Sequence, residues 1–172
     1  PAVVELAQDR RYFTLLADCA AQSRIVLGDA RLTLAKAPKG SYDLVILDAF
    51  SSDAIPLHLV TREALGIYLD RLAPSGLLAF HISNKYLDLV PALGALAKDM
   101  SLAGVWQDAP TGKAETEAKK VRSTWAVLAR QPGDLALLSG DERWRPLPAE
   151  PGIPPWTDDY SNIFDVIELG EH

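Results

Sequence analysis

At 172 residues the chain has the length of one domain, 1–172, and its 48% hydrophobic content is ample for a continuous core. Seventeen basic against 23 acidic residues give a net charge of −6, which argues against non-specific DNA or RNA binding and suits a cationic substrate. No apolar run approaches the roughly 20 residues that cross a bilayer, no basic-then-apolar leader precedes a cleavage site, and the single Cys19 has no intrachain disulfide partner, so a cytoplasmic protein with a structural thiol is expected.

Short β-rich runs alternate with longer helical patterns, the signature of an α/β domain with a largely parallel sheet. In chain order the strands are predicted at Arg24–Leu27, Leu44–Asp48, Leu77–Ile82, Ser123–Leu128 and Ile163–Leu169. Leu65, Tyr68, Leu69 and Leu72 recur at helical spacing, as do Leu89, Leu93, Leu96 and Met100, which predicts helices around 59–72 and 88–101. Pro91 falls in a first helical turn, where proline is tolerated. Ala73-Pro74-Ser75-Gly76 reads as a turn before the third strand, and the polar stretch Thr111 to Lys120 as a solvated connection. Pro146, Pro148, Pro151, Pro154 and Pro155 predict an extended crossing segment before Trp156. No internal repeat or low-complexity tract is visible.

The most informative stretch runs from Asp43 to Pro56. Leu44, Val45, Ile46 and Leu47 suit a strand buried on both faces, and ligands gather beyond the carboxyl ends of such strands. Asp48 closes that run, and Asp53 follows five residues later. Two acids in one loop suit an amine, a sugar hydroxyl or a metal. Only three histidines, one cysteine and no helical His pair are present, so no metal site is expected. If the strands are parallel, three loops emerge on one edge: Gly28-Asp29-Ala30, Asp48 to Pro56, and His81-Ile82-Ser83-Asn84.

Ile25 to Ala30, Tyr42 to Pro56 and Gly76 to Asn84 together resemble the spermidine synthases, the polyamine aminopropyltransferases. The nearest resemblance is to the bacterial synthase-like domains that stand alone or follow transporter-like segments, and it extends to Trp156-Thr157-Asp158-Asp159-Tyr160-Ser161-Asn162. The resemblance implies a Rossmann-like fold shared with class I methyltransferases. It implies transfer of an aminopropyl group from decarboxylated S-adenosylmethionine, a co-substrate with no tightly bound cofactor beside it, to a diamine such as putrescine. Asp29 matches the acid that accepts a hydrogen bond from the adenine amino group, with Gly28 and Ala30 forming the turn around it; Asp is equally suited to cap a helix there. Asp48 matches the general base, which would hold the ammonium, take its proton and aim the lone pair. Tyr160 matches the tyrosine that orients the amine. Asp53 matches a second amine-binding acid, though the family's usual gap is three residues, and a cap on the helix near Leu57 is an equal reading. His81 is left outside catalysis as a structural hydrogen-bonder, and the four tryptophans are read as packing residues.

The family's glycine-rich turn after its first strand and the ribose-gripping acid after its second are absent. The chain opens at Pro1 to Ala7, which resembles the helix that follows that acid, so the sheet is expected to lack its first two strands. Such a gap closes if the flanking strands meet directly, if a second copy fills it, or if an N-terminal half outside the sequence supplies it. Membrane association is expected only through a fused segment outside this chain. Two other functions remain open: a class I methyltransferase using S-adenosylmethionine, and a cofactor-free remnant serving as an interaction or oligomerisation module.

Overall fold

The run Tyr42–Leu47 forms strand β1 in the computed structural model, which describes residues 2–19, 23–49, 56–84, 86–109 and 123–167. Two compact units divide the chain, Pro1–Lys36 and Ala37–His172. The first holds three short helices, α1 (Ala2–Gln8), α2 (Leu15–Cys19) and α3 (Ala30–Leu34). Arg24–Leu27, expected as a strand, lies outside any ladder among the described residues, and Ile25, Val26 and Leu27 are exposed. An apolar run becomes a strand only when a neighbour takes up its N–H and C=O groups, and among the described residues none does so here.

The second unit carries a five-stranded sheet. Beyond β1, its main elements are helix α4 (Arg62–Arg71), strand β2 (Leu72–His81), helix α5 (Val90–Asp99), strands β3 (Ala103–Ala109) and β4 (Ser123–Ala129), and the two-residue strand β5 (Arg145–Pro146). Their order in the sheet is β1-β2-β4-β3-β5. The expected α/β architecture is present, but the expectation of a mostly parallel sheet needs correction. Only β1–β2 is a parallel pair among the described strands; β2–β4, β3–β4 and β3–β5 are antiparallel. The reason is one inserted strand. Parallel neighbours need a crossover, usually a helix, and α4 and α5 provide one each, so β1, β2 and β3 run in the same direction. The second crossover leaves a slot beside β2, which β4 fills by turning back. Among the described residues β1 is the outer strand, with β2 as its strand neighbour.

Alternation along the strands divides the core. Val45, Leu47, Leu78, Phe80, Ala126 and Leu128 lie on one face, and with Leu65 and Tyr68 of α4 and Leu93 and Leu96 of α5 they are buried. Each large side chain so buried contributes roughly 1.5–3 kcal/mol of transfer free energy. On the other face, Ala79, Val105, Val127 and Ala129 pack with Leu135, beside the partly buried Leu138 and Trp144.

The predicted turn Ala73–Gly76 is a bulge within β2: Tyr42 stands opposite Leu72, and Leu44 opposite Leu77. Arg130, just past β4, donates to the carbonyls of Ala73 (2.8 Å), Pro74 (3.2 Å) and Leu69, tying the bulge and the end of α4 to the sheet. The proline-rich segment, expected to cross extended, pairs in the sheet only at Arg145–Pro146, as β5, and turns at Pro151–Gly152, where Gly152 has φ +94°. It also presses on α5 at Gly94, where a Cβ would stand 1.7 Å from the Pro148 carbonyl oxygen. The last expected strand, Ile163–Leu169, is instead a 3-10 turn over Ile163–Val166 followed by a single bridge from Ile167 to Leu87. Asn162 caps that turn by accepting from the Phe164 N–H (3.2 Å), which curls the chain where the apolar pattern suited an extended one. Leu169 and Thr111 to Lys120 lie outside the described residues.

Candidate active site at the end of the parallel strand pair

Parallel pairing in register brings equivalent strand ends together. Leu47 is aligned with Phe80, so the next residues, Asp48 and His81, leave the sheet side by side. His81 Nδ1 lies 2.7 Å from Asp48 Oδ1. On its other side, His81 Nε2 lies 2.8 Å from Ser83 Oγ and 3.3 Å from Ser123 Oγ. Both hydroxyls are themselves anchored: the Thr124 N–H donates to Ser83 Oγ (2.8 Å) and the Trp125 indole N–H donates to Ser123 Oγ (3.0 Å). Trp125, opposite His81 in the β2–β4 register, stacks on the imidazole with centroids 4.7 Å apart and planes 21° from parallel.

This network joins the carboxyl ends of β1 and β2 to the amino end of β4, with the acid at its open end. The Asp48 side chain is 61% exposed and that of His81 25%. Asp48 is therefore not the desolvated acid that a strand buried on both faces implied; the exposed Leu44 and Ile46 show that one face of β1 is open. An exposed carboxylate with one oxygen held in place can bind an ammonium and accept its proton. Trp125 also lines an apolar cavity of about 290 Å³ with Leu44, Leu77, Leu138 and Trp144.

In the first unit, Gly28 has φ +139°, a conformation that favours glycine, and it turns the chain into Asp29. Asp29 caps α3, its Oδ1 accepting from the Leu32 N–H at 2.8 Å, and Ala30 is the first helical residue. That geometry realises the capping role and leaves the carboxylate capacity for further acceptor bonds. Asp53 lies outside the described residues. Tyr160 is 49% exposed and closes a turn with Thr157, whose N–H donates to its carbonyl at 2.8 Å; no hydrogen bond joins it to Asp48. Its segment is fastened to the start of α4: Thr61 Oγ donates to Asp158 Oδ1 (2.8 Å), the Asp158 N–H to Glu63 (2.9 Å) and the Arg62 N–H to the Trp156 carbonyl (2.8 Å). Sequence reasoning set His81 aside, yet the structure makes it the partner of Asp48. The available signal was positional, since both residues close neighbouring apolar runs of the same predicted direction.

Among the described residues no group of three His, Cys, Asp or Glu side chains could hold a metal ion, and no helix is long and apolar enough to cross a membrane.

No family model matches the chain. Over 80 residues, 45% of this chain and 25% of the relative, it is 39% identical to the polyamine aminopropyltransferase of Vibrio vulnificus. The crystal structure of a probable spermidine synthase from Corynebacterium glutamicum superposes with a TM-score of 0.59 at 17% identity, over 93% of this chain and 61% of that one. Spermidine synthase from Thermotoga maritima gives a TM-score of 0.49 at 17% identity, over 87% and 50%. The chain thus spans less than two thirds of the length of each. The Corynebacterium likeness shows the fold, that of a spermidine-synthase-like, Rossmann-like α/β domain.

Proposed function

From a spermidine-synthase-like fold with an accessible carboxylate beyond β1, we propose that the chain is an aminopropyltransferase-like domain acting in the cytoplasm on a polyamine. The donor would be decarboxylated S-adenosylmethionine and the acceptor a diamine such as putrescine. The observation that carries the reading is Asp48: it stands at the strand end where ligands gather in open α/β sheets, exposed and with one oxygen held by His81.

The chemistry needs a neutral amine. An alkylammonium with a pKa near that of lysine, about 10.4, costs about 4–5 kcal/mol to deprotonate at pH 7. Asp48 binds the ammonium and accepts one proton. The freed nitrogen lone pair attacks the methylene carbon bonded to the sulfonium, the C–S electron pair returns to sulfur, and methylthioadenosine departs uncharged. The proton on Asp48 then passes to water. In the same proposal Asp29 accepts from the adenine amino group within the Gly28–Ala30 turn, Tyr160 orients the attacking amine, and Asp53 binds its distal ammonium. The nucleoside-gripping elements missing from this sequence would come from a second copy or an N-terminal half.

The test is product analysis of the protein with putrescine and either donor. Spermidine and methylthioadenosine from the decarboxylated donor are expected. Methyl transfer from S-adenosylmethionine would point to the methyltransferase alternative. No product, together with no calorimetric binding of methylthioadenosine, would overturn the proposal and favour an interaction module.

A further inference from the structure

The network behind Asp48 assigns a job to His81. We infer that His81 is a positioning residue: as a neutral imidazole protonated on Nδ1, it holds Oδ1 of Asp48 and leaves Oδ2 as the oxygen that meets the substrate ammonium. The inference rests on the reading of Asp48 as the base and adds the group that aims it.

The acceptor-only carboxylate of Asp48 sets the tautomer. Ser83 Oγ already accepts from the Thr124 N–H, and Ser123 Oγ from the Trp125 indole N–H. Each hydroxyl keeps its own hydrogen as a donor, and each lies near Nε2, at 2.8 and 3.3 Å. An ionised carboxylate offers only acceptor sites, so the ring nitrogen that faces it carries the proton, and a neutral ring then leaves Nε2 to accept from a hydroxyl. Nδ1 faces Asp48 at 2.7 Å and donates to it. The Trp125 stack fixes the plane of the ring, so the donor direction is set by β4 rather than by Asp48 itself. The same three residue types also form the order Asp, His, Ser of nucleophilic enzymes, but here the open end is the carboxylate, and the serine is part-buried and pinned by a backbone N–H. Chemistry belongs at the accessible end. Holding one carboxylate oxygen selects a single rotamer of an otherwise exposed side chain, and misplacement of a catalytic group by about 1 Å can cost about 100-fold in rate.

Two measurements test this. Long-range ¹H–¹⁵N correlation spectra of the ¹⁵N-histidine-labelled protein are expected to give His81 protonated Nδ1 and bare Nε2, with the signal assigned by its loss in His81→Asn. Asp48→Ala should move the population toward the Nε2–H form. An Nε2–H tautomer in the wild type, or one indifferent to Asp48→Ala, overturns the inference. In the kinetic arm, His81→Phe keeps a ring against Trp125 and removes both nitrogens; kcat is expected to fall about 100-fold with KM for putrescine little changed. His81→Asn returns an N–H near the Nδ1 position and should recover about 10-fold of that loss. Wild-type kcat in His81→Phe, or equal losses in both variants, would count against positioning. If the wild type transfers no aminopropyl group while the imidazole signature behaves as stated, the proposed function fails and the hold of His81 on Asp48 stands.

Discussion

Asp48 Oδ1 and His81 Nδ1 meet at 2.7 Å although 33 positions separate them, because two parallel strands in register end at the same level. Asp48→Asn keeps the shape of the side chain and removes its basicity. Turnover is expected to fall by roughly 10²–10⁴, with methylthioadenosine affinity retained by calorimetry. Undiminished turnover would remove Asp48 from the role of base.

Tyr160 stands half exposed on a segment fastened to α4. Tyr160→Phe removes only the hydroxyl, so thermal stability should not change. If that hydroxyl orients the amine, KM for putrescine should rise several-fold, roughly the loss of one hydrogen bond worth about 1 kcal/mol. An unchanged KM would return Tyr160 to a purely structural place.

Thr61 is 2% exposed, caps α4 through the Ala64 N–H at 3.2 Å and donates to Asp158 at 2.8 Å. Thr61→Ala breaks both bonds and leaves the Ala64 N–H without its cap. Urea unfolding should show a loss of about 1–2 kcal/mol, largely recovered in Thr61→Ser. A neutral effect of Thr61→Ala would mean that neither bond persists in solution.

Gly94 lets the Pro148 carbonyl approach α5. Gly94→Ala would improve helix propensity by about 1 kcal/mol in an exposed helix. Here the new methyl must displace backbone, so a net destabilisation of about 1–3 kcal/mol is expected, read as a lower urea midpoint at unchanged slope. A stabilised variant would show that the crossing segment yields easily.

Asp141 lies 3.0 Å from Arg143 Nε, and this hydrogen bond, joined by one from the Arg143 backbone, lowers its pKa from the ordinary 3.8 to about 2. A depressed folded-state pKa stabilises above the ordinary value. That contribution should disappear as pH falls from about 4 toward 2. A carboxyl-carbon NMR titration should find the low value and see Arg143→Gln move it upward; an Asp141 titrating near 3.8 in the wild type would contradict the pairing.

The elements that could be read from the sequence are those whose pattern is local. β1, β2 and β4 announced themselves as apolar runs, and α4 and α5 by periodic leucines. β3 did not, because Ala103-Gly104-Val105-Trp106-Gln107-Asp108-Ala109 has little of the β-branched character that marks a strand and is held there by pairing with β4 along its whole length. Arg24–Leu27 had the composition of a strand but has no ladder, and Ile163–Val166 had the apolar run but is curled by the Asn162 cap. At the site, Asp48 was legible from its place after an apolar run. His81 carried only the positional signal of closing a neighbouring run, and Ser83, Ser123 and Trp125 carried none, since they converge on it only once β4 is inserted antiparallel beside β2.

The stack of His81 on Trp125 also gives the molecule an optical handle. Imidazolium quenches indole emission by contact, whereas neutral imidazole does so far less, so Trp125 fluorescence reports whether the ring that holds Asp48 stays neutral. Trp125→Phe, subtracted from the wild type, would isolate that signal from those of Trp106, Trp144 and Trp156. The state of the positioning ring could then be checked without a turnover assay.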